Sequence, residues 1–373
     1  MRLKTRRIQE YLSRRLGRTV TIEAITPLGP EAAAADRSIK AFGYGKPLLV
    51  SYRLNGRVHR VVLSTLSPNQ FGHEYRSDRA AVLLLAYDTY NQLPAHVQAL
   101  DVGVVMADGH LLSLQEGDEF FLVTEFVEGA PYASDLERLR DTGQLTELDL
   151  RRAEALAVYL ADIHAVKRHD PALYRRRLRD TLGSGEGIMG LTDSYPPDFP
   201  LAPPEWLMRI ETLCVGWRWR LKSRAHRLSQ VHGDFHPYNI LFSHDTQFRL
   251  LDRSRGPWGE PADDVAALTI NYIFFSVQRS GRLAPPFEQV WETFWTTYLE
   301  RTEDEELLST IAPFFAWRGL VVASPIWYDV DESVRRAMLS FVERVLEADT
   351  FNPAQVNDYL GHSVLSFQEP VQP

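Results

Sequence analysis

Lysine is nearly missing from this chain. It occurs only at Lys4, Lys40, Lys46, Lys167 and Lys222, so almost all of the positive charge is arginine. Chemistry that needs a flexible ammonium group therefore has few places to find one, because arginine is a planar fork and not a substitute point charge. Cysteine occurs once, at Cys214, which excludes an internal disulfide framework and fits a reducing compartment. Long apolar runs are also lacking. "AAVLLLAY" and "FFLV" are far too short to span a bilayer, and the basic opening "MRLKTRRIQEYLSRRLG" has no continuous apolar stretch of the signal-peptide kind. The net charge is −8 with no dense basic tract, which argues against nucleic acid as a main partner. The expectation is a soluble, cytoplasmic protein that engages neither membrane nor nucleic acid, with its oligomeric state open.

The 373 residues suffice for one large or two moderate domains, and the 45% hydrophobic and 24% charged fractions are those of an ordinary globular chain. Ile8, Leu12 and Leu16 recur every four residues and predict an amphipathic helix ending at Gly17. "PLLVSYRL" and "RVHRVVLST" are rich in β-branched residues and flank Asn55-Gly56, a strong hairpin signal. A helix is expected from Glu74 to Tyr90, with Ala81, Leu84, Leu85 and Asp88 at helical spacing. Two strands should follow around "DVGVVMADGHLLSLQ" and "EFFLVTEFV", joined by a turn at Gly117-Asp118.

From about Pro131 the pattern turns helical. Residues 146–166 read as a long helix capped by Thr146 and Asp149. "GSGEGIMGLTDSYPPDFPLAPP" reads as an irregular functional or mobile insertion, and a helix carrying Trp206, Trp217 and Trp219 follows it. Further helices extend to about residue 348. The fold class is thus α+β in two lobes: a small β-rich part over residues 1–126 and a larger, mainly helical part over 127–373.

The chemistry concentrates in "VHGDFHPYNILF", followed by "FRLLDRSRGPWGEPADDVA". Asp234 and Asn239 lie five apart on a loop before an apolar strand, and Leu250-Leu251 leads straight to Asp252. A carboxylate, an amide oxygen and a second carboxylate at strand ends suit a hard, oxygen-preferring cation. Magnesium fits, because it takes few protein ligands and leaves room for phosphate oxygens. With an aspartate that can accept a proton from a hydroxyl, these are the parts of a phosphoryl-transfer site. Gly43 and Gly45, in "IKAFGYGKPLL", read equally as a phosphate-cradling turn or as an ordinary tight turn. The His232, Asp234, His236 spacing admits a transition-metal reading as well, but that reading leaves Asn239 and Asp252 without a role.

His232-Gly233-Asp234 with Asn239 resembles the catalytic loop of kinases in the aminoglycoside phosphotransferase and choline kinase-like superfamily. Asp252-Arg253-Ser254-Arg255 resembles their metal-binding segment, with Ser254 where the antibiotic kinases often carry glycine, and "EPADDVA" resembles the stretch that follows. The resemblance covers most of the chain and implies a two-lobed protein-kinase-like fold and an ATP- and Mg2+-dependent small-molecule kinase acting on a hydroxyl. It implies Asp234 as base or orienting carboxylate, and Asn239 and Asp252 as metal ligands. Backbone groups of Glu125 and Val127 would meet adenine, and Lys46 could reach the phosphates from the glycine turn. His232, His236 and Asp264 would be structural supports.

The family's strand lysine is missing, for its expected position falls at Ser64. Arg60 is a candidate substitute, although strand alternation is expected to turn it to the wrong face, and Glu74 or Asp78 would be the helix carboxylate. Ser64 and Ser254 together motivate an alternative, a nucleotide-binding pseudokinase that acts by interaction. Trp291 and Trp295, four apart, read as core, with Trp317 and Trp327 as core or pocket lining. "ERTEDEE" reads as a solvated helix start and "RHDPALYRRRLRD" as a basic surface face.

Overall fold

A computed structural model describes residues 4–28, 47–68, 73, 76–113, 119–253 and 255–361. Gly43, Gly45, Lys46, Glu74, the Gly117-Asp118 turn and Ser254 lie outside these residues. Helix α1 (Thr5–Leu16) ends at Gly17 in the left-handed conformation and buries Ile8, Tyr11 and Leu12. Strands β1 (Thr21–Pro27), β2 (Leu48–Leu54) and β3 (Arg57–Ser64) follow, and the β2–β3 turn has Asn55 at φ 52 and Gly56 at φ 79. Helix α2 (Arg76–Tyr90) precedes β4 (Ala99–Val105), β5 (Leu111–Ser113) and β6 (Glu119–Glu125). The strands form one antiparallel sheet in the order β1-β2-β3-β6-β4-β5.

Alternation on β3 sends Val61 and Leu63 to a cluster with α1, while Leu122 of β6, opposite Ser64, packs against Leu83, Ala86 and Tyr90 of α2. The buried apolar face of α2 is Ala80, Leu83, Ala86 and Tyr90, with Leu84 partly buried against the same cluster. One reading of this region needs correction. The stretch expected as a single strand before β6 is a hairpin, β4–β5, turning near Gly109.

Beyond β6, residues 126–129 lead to β7 (Ala130–Pro131), which pairs with β9 (Ile240–His244), itself paired with β10 (Gln247–Leu250). Helix α3 (Tyr132–Thr142) precedes α4 (Glu147–His164), which starts at the reciprocal Thr146–Asp149 capping box. Next come α5 (Pro171–Gly183), α6 (Ile188–Ser194) and α7 (Pro204–Leu221). The segment expected as irregular therefore contains a helix, α6, whose Ile188 and Leu191 are buried. Short strands β8 (Ser229–Gln230) and β11 (Trp258–Gly259) pair on either side of the loop that carries Asp234.

Helix α8 (Pro261–Ser280) is buried at every residue from Pro261 to Val277, the signature of a central core helix. Around it stand α9 (Phe287–Thr302), α10 (Ala312–Ala323), α11 (Glu332–Glu347) and α12 (Val356–Leu360). Trp291 and Trp295 pack together in this core. The acids of "ERTEDEE" are not simply solvated, since Asp304 and Glu306 pair with buried Arg227. No described helix is long and apolar enough to cross a membrane.

Candidate active site

The loop between β8 and β9 holds Asp234. Gly233 has φ 88, a left-handed conformation that a side chain would strain. This turn aims the backbone amides of His232 and Gly233 at Asp264, each donating to one carboxylate oxygen at 2.7 Å. Asp264 sits fully buried in the first turn of α8, with His164 Nε2 3.2 Å away. Burial would raise its pKa, but His164, His232 and the donated amide hold it below the ordinary value. The loop is thus pinned to the core helix. His232 is also buried, and its Nδ1 accepts from the Asp234 amide at 3.3 Å. His236 Nδ1 accepts from the Tyr238 amide at 3.2 Å, closing the turn that carries Asn239.

Asn239 follows in a short 3₁₀ turn. Its Nδ2 donates to the Asp234 carbonyl at 3.0 Å, which orients the amide and leaves its oxygen as an acceptor. The Asn239 carbonyl accepts from the Leu251 amide at 2.9 Å, so the start of β9 is tied to the residue preceding Asp252. Asp252 is exposed, with φ 54, a left-handed conformation that costs roughly 1–3 kcal/mol in a residue other than glycine. One amide oxygen and one carboxylate beside an aspartate suit magnesium, which retains waters and takes phosphate oxygens. Among the described residues no group of three or more His, Cys, Asp or Glu side chains is placed to hold a metal. The His232, Asp234, His236 metal reading is therefore overturned, because those side chains do not converge.

Asp234 is clamped by arginines. Its Oδ1 accepts from Arg318 Nη1 at 2.7 Å and from Arg255 Nη1 at 3.2 Å, while Oδ2 faces His236 Nε2 at 3.7 Å. Burial would raise its pKa, but Arg255, His236 and Arg318 hold it well below the carboxylate range. Arg318 extends the network to Asp263 Oδ1 at 2.6 Å, and Arg255 Nε lies 3.4 Å from Glu186. Glu186 in turn faces His73 Nε2 at 3.1 Å, ahead of α2. Trp317 lies under both guanidiniums, 4.6 Å from Arg255 and 4.1 Å from Arg318, and its Nε1 donates to the Glu186 carbonyl.

Sequence reading missed Arg318, Glu186 and the placement of Trp317. Arg318 lies 84 residues beyond Asp234 with no motif around it. The one available signal was an isolated arginine within the apolar helix "APFFAWRGLVVA".

The sheet side of the cleft is plainer. Ser64 pairs with Leu122 on the face turned toward α2. Residues 60 and 64 have the same parity, so Arg60 shares that face, contrary to expectation. Arg60 instead runs outward, pairing with Glu128 at 2.6 Å and lying over Phe126. The Glu125 amide donates to the Gln98 carbonyl at 3.0 Å, which commits that N–H, and Val127 packs beside the α2 cluster. Asp78 lies in the first turn of α2.

No curated protein matches the sequence. Among solved structures, the chain is similar to an ethanolamine kinase from Plasmodium vivax (12% identity, TM-score 0.45, 91% of this chain and 80% of that one). It is also similar to a choline kinase from Cryptosporidium parvum (13%, 0.44, 91% and 86%). A third is a thermostable mutant aminoglycoside phosphotransferase in ternary complex with ADP and hygromycin B (13%, 0.42, 95% and 96%). A model of the phosphotransferase enzyme family matches residues 76–304, well over half of the 373. That span runs from α2 through the pinned loop to the acids beyond α9, and the chain belongs to the phosphotransferase enzyme family.

Proposed function

We propose that the protein is a magnesium-dependent kinase that moves the γ-phosphoryl group of ATP to a hydroxyl of a small molecule, such as an amino sugar, an amino alcohol or a related metabolite. One observation carries this reading: the hydrogen bonds from Asn239 Nδ2 to the Asp234 carbonyl and from the Leu251 amide to the Asn239 carbonyl tie together Asp234, Asn239 and the residue before Asp252. Asn239 and Asp252 would hold magnesium, which when bound neutralises charge on the nucleotide phosphates. Asp234 orients the acceptor hydroxyl through Oδ2, which carries no hydrogen bond from a described residue, and stays ionised as it does so. Gly43, Gly45 and Lys46, with the backbone of Glu125 and Val127, would receive the nucleotide. His232, His236 and Asp264 keep the loop in shape. Arg255, three residues past Asp252, is a cation beside Asp234 and Glu186.

The test is ADP release from MgATP with a panel of amino sugars, amino alcohols, sugars and hydroxy-amino acids. Asp234→Ala should lower turnover by about 10³-fold while circular dichroism and nucleotide binding stay unchanged. Nucleotide binding without turnover across the panel would replace this reading with the pseudokinase one.

A further inference from the structure

We propose that Arg318 is the positioning residue for Asp234, fixing which carboxylate oxygen meets the acceptor hydroxyl. This rests on the kinase reading above. Arg318 grips the loop at two points, donating to Asp234 Oδ1 at 2.7 Å and to the Gly233 carbonyl at 3.3 Å. A guanidinium that holds a side chain and the preceding backbone together fixes the carboxylate's rotation as well as its charge. With Oδ1 held by Arg318 and Arg255, Oδ2, which faces His236 Nε2 at 3.7 Å but accepts no hydrogen bond from a described residue, is the oxygen turned to the reacting hydroxyl.

Arg318 is itself held from several sides. Asp263, in the first turn of α8, takes its other terminal nitrogen at 2.6 Å, and Trp317 lies against its face. Its depth is set by the next residue. Gly319 lets α10 press onto α11, because a Cβ there would run into Val342. The side chain is 7% exposed, and its Nε has no hydrogen-bond partner among the described residues. An unsatisfied donor is an unfavourable feature in a residue that only staples two helices. It is tolerable where the terminal nitrogens hold the Asp234 carboxylate and the Gly233 carbonyl beside it. A mispositioned carboxylate slows transfer without weakening nucleotide binding, since orientation acts on the transfer step.

The probe is MgATP hydrolysis with water as the only acceptor. The bond from the γ-phosphorus to the bridging oxygen breaks, a bond to the water oxygen forms, ADP leaves with the bridging electrons, and the water proton passes to product phosphate or solvent. Arg318→Met should lower kcat by about 30- to 100-fold, with KM for ATP and affinity for a fluorescent ADP analogue within about twofold of wild type. Arg318→Lys, which keeps a charge but not the fork, should recover part of the loss, and it carries the test by itself if the Met variant does not fold. A folded variant with unchanged kcat overturns the positioning role while leaving the kinase reading intact. So does a fall in nucleotide affinity that tracks kcat. A wild-type protein that neither hydrolyses ATP nor releases ADP with any acceptor of the panel overturns both.

Discussion

The two walls of the cleft use arginine in opposite ways. On the sheet side Arg60 is 48% exposed and pairs with Glu128, which is 78% exposed, so water screens most of the interaction. On the loop side Arg253 is fully buried and pairs with no carboxylate among the described residues. Its guanidinium donates to three backbone carbonyls, Val231 at 3.1 Å, Thr89 at 2.9 Å and Pro257 at 3.2 Å. Burial pushes its pKa down to about 10. Thr89 lies at the C-terminal end of α2, where the helix dipole favours a cation. Arg253 thus joins α2, the catalytic loop and the segment after Asp252 at one point. The same side chain is an accessory on one wall and a structural centre on the other, and the difference is made by burial, not by charge.

Replacing each arginine would test that contrast. Arg253→Met should produce the largest effect, about 3–5 kcal/mol of lost stability, because buried carbonyls are left without donors. Urea unfolding measures it, and a loss below about 1 kcal/mol would remove the contrast.

Next in size is a pH effect on the buried histidines that pack beside Arg253. Burial pushes His232 down to about 4 and His96 down to about 3, from an ordinary value of 6.5. Both folded-state values are depressed, so the unfolded chain binds more protons between the two states' pKa values. The stability from keeping these rings neutral is present above pH 6.5 and is lost as pH falls toward 4 and 3. The loss should amount to a few kcal/mol, since each tenfold difference in proton affinity between folded and unfolded chain is worth about 1.4 kcal/mol. Chemical denaturation at pH 7 and pH 5 reads it, and equal stabilities at the two values would contradict it.

The smallest effect belongs to Arg60→Ala. It should change stability by less than about 1 kcal/mol and leave turnover within about twofold. A loss of turnover tenfold or more would mean that Arg60 replaces the strand lysine after all.

Much of the fold was legible because local chemistry repeated a single message. The Thr146–Asp149 capping box, the Asn55-Gly56 turn and the Gly17 stop each satisfy backbone needs within a few residues, and each appears where expected. Helical spacing alone did not tell which face of α2 is covered, and packing against Leu122 decides it. The helix α6 was hidden by the glycines and prolines around it, since its burial comes from distant partners. In the site, the motif spacing pointed to Asp234, Asn239 and Asp252, and hydrogen bonds tie Asn239 to Asp234 and to Leu251, the residue before Asp252. The clamp on Asp234 was not legible, because Arg318 and Glu186 come from segments far away in the chain.

The sequence by itself determined the chemical inventory: two acids and an amide on strand-end loops, a chain almost without lysine, and a family-specific loop. Tertiary structure alone decided the electrostatics. Helix α10 brings a buried guanidinium to Asp234, and a ring of partners takes up one of its oxygens. Charge in a protein acts over a few ångströms once water is excluded, and that proximity is set by packing between helices rather than by order along the chain.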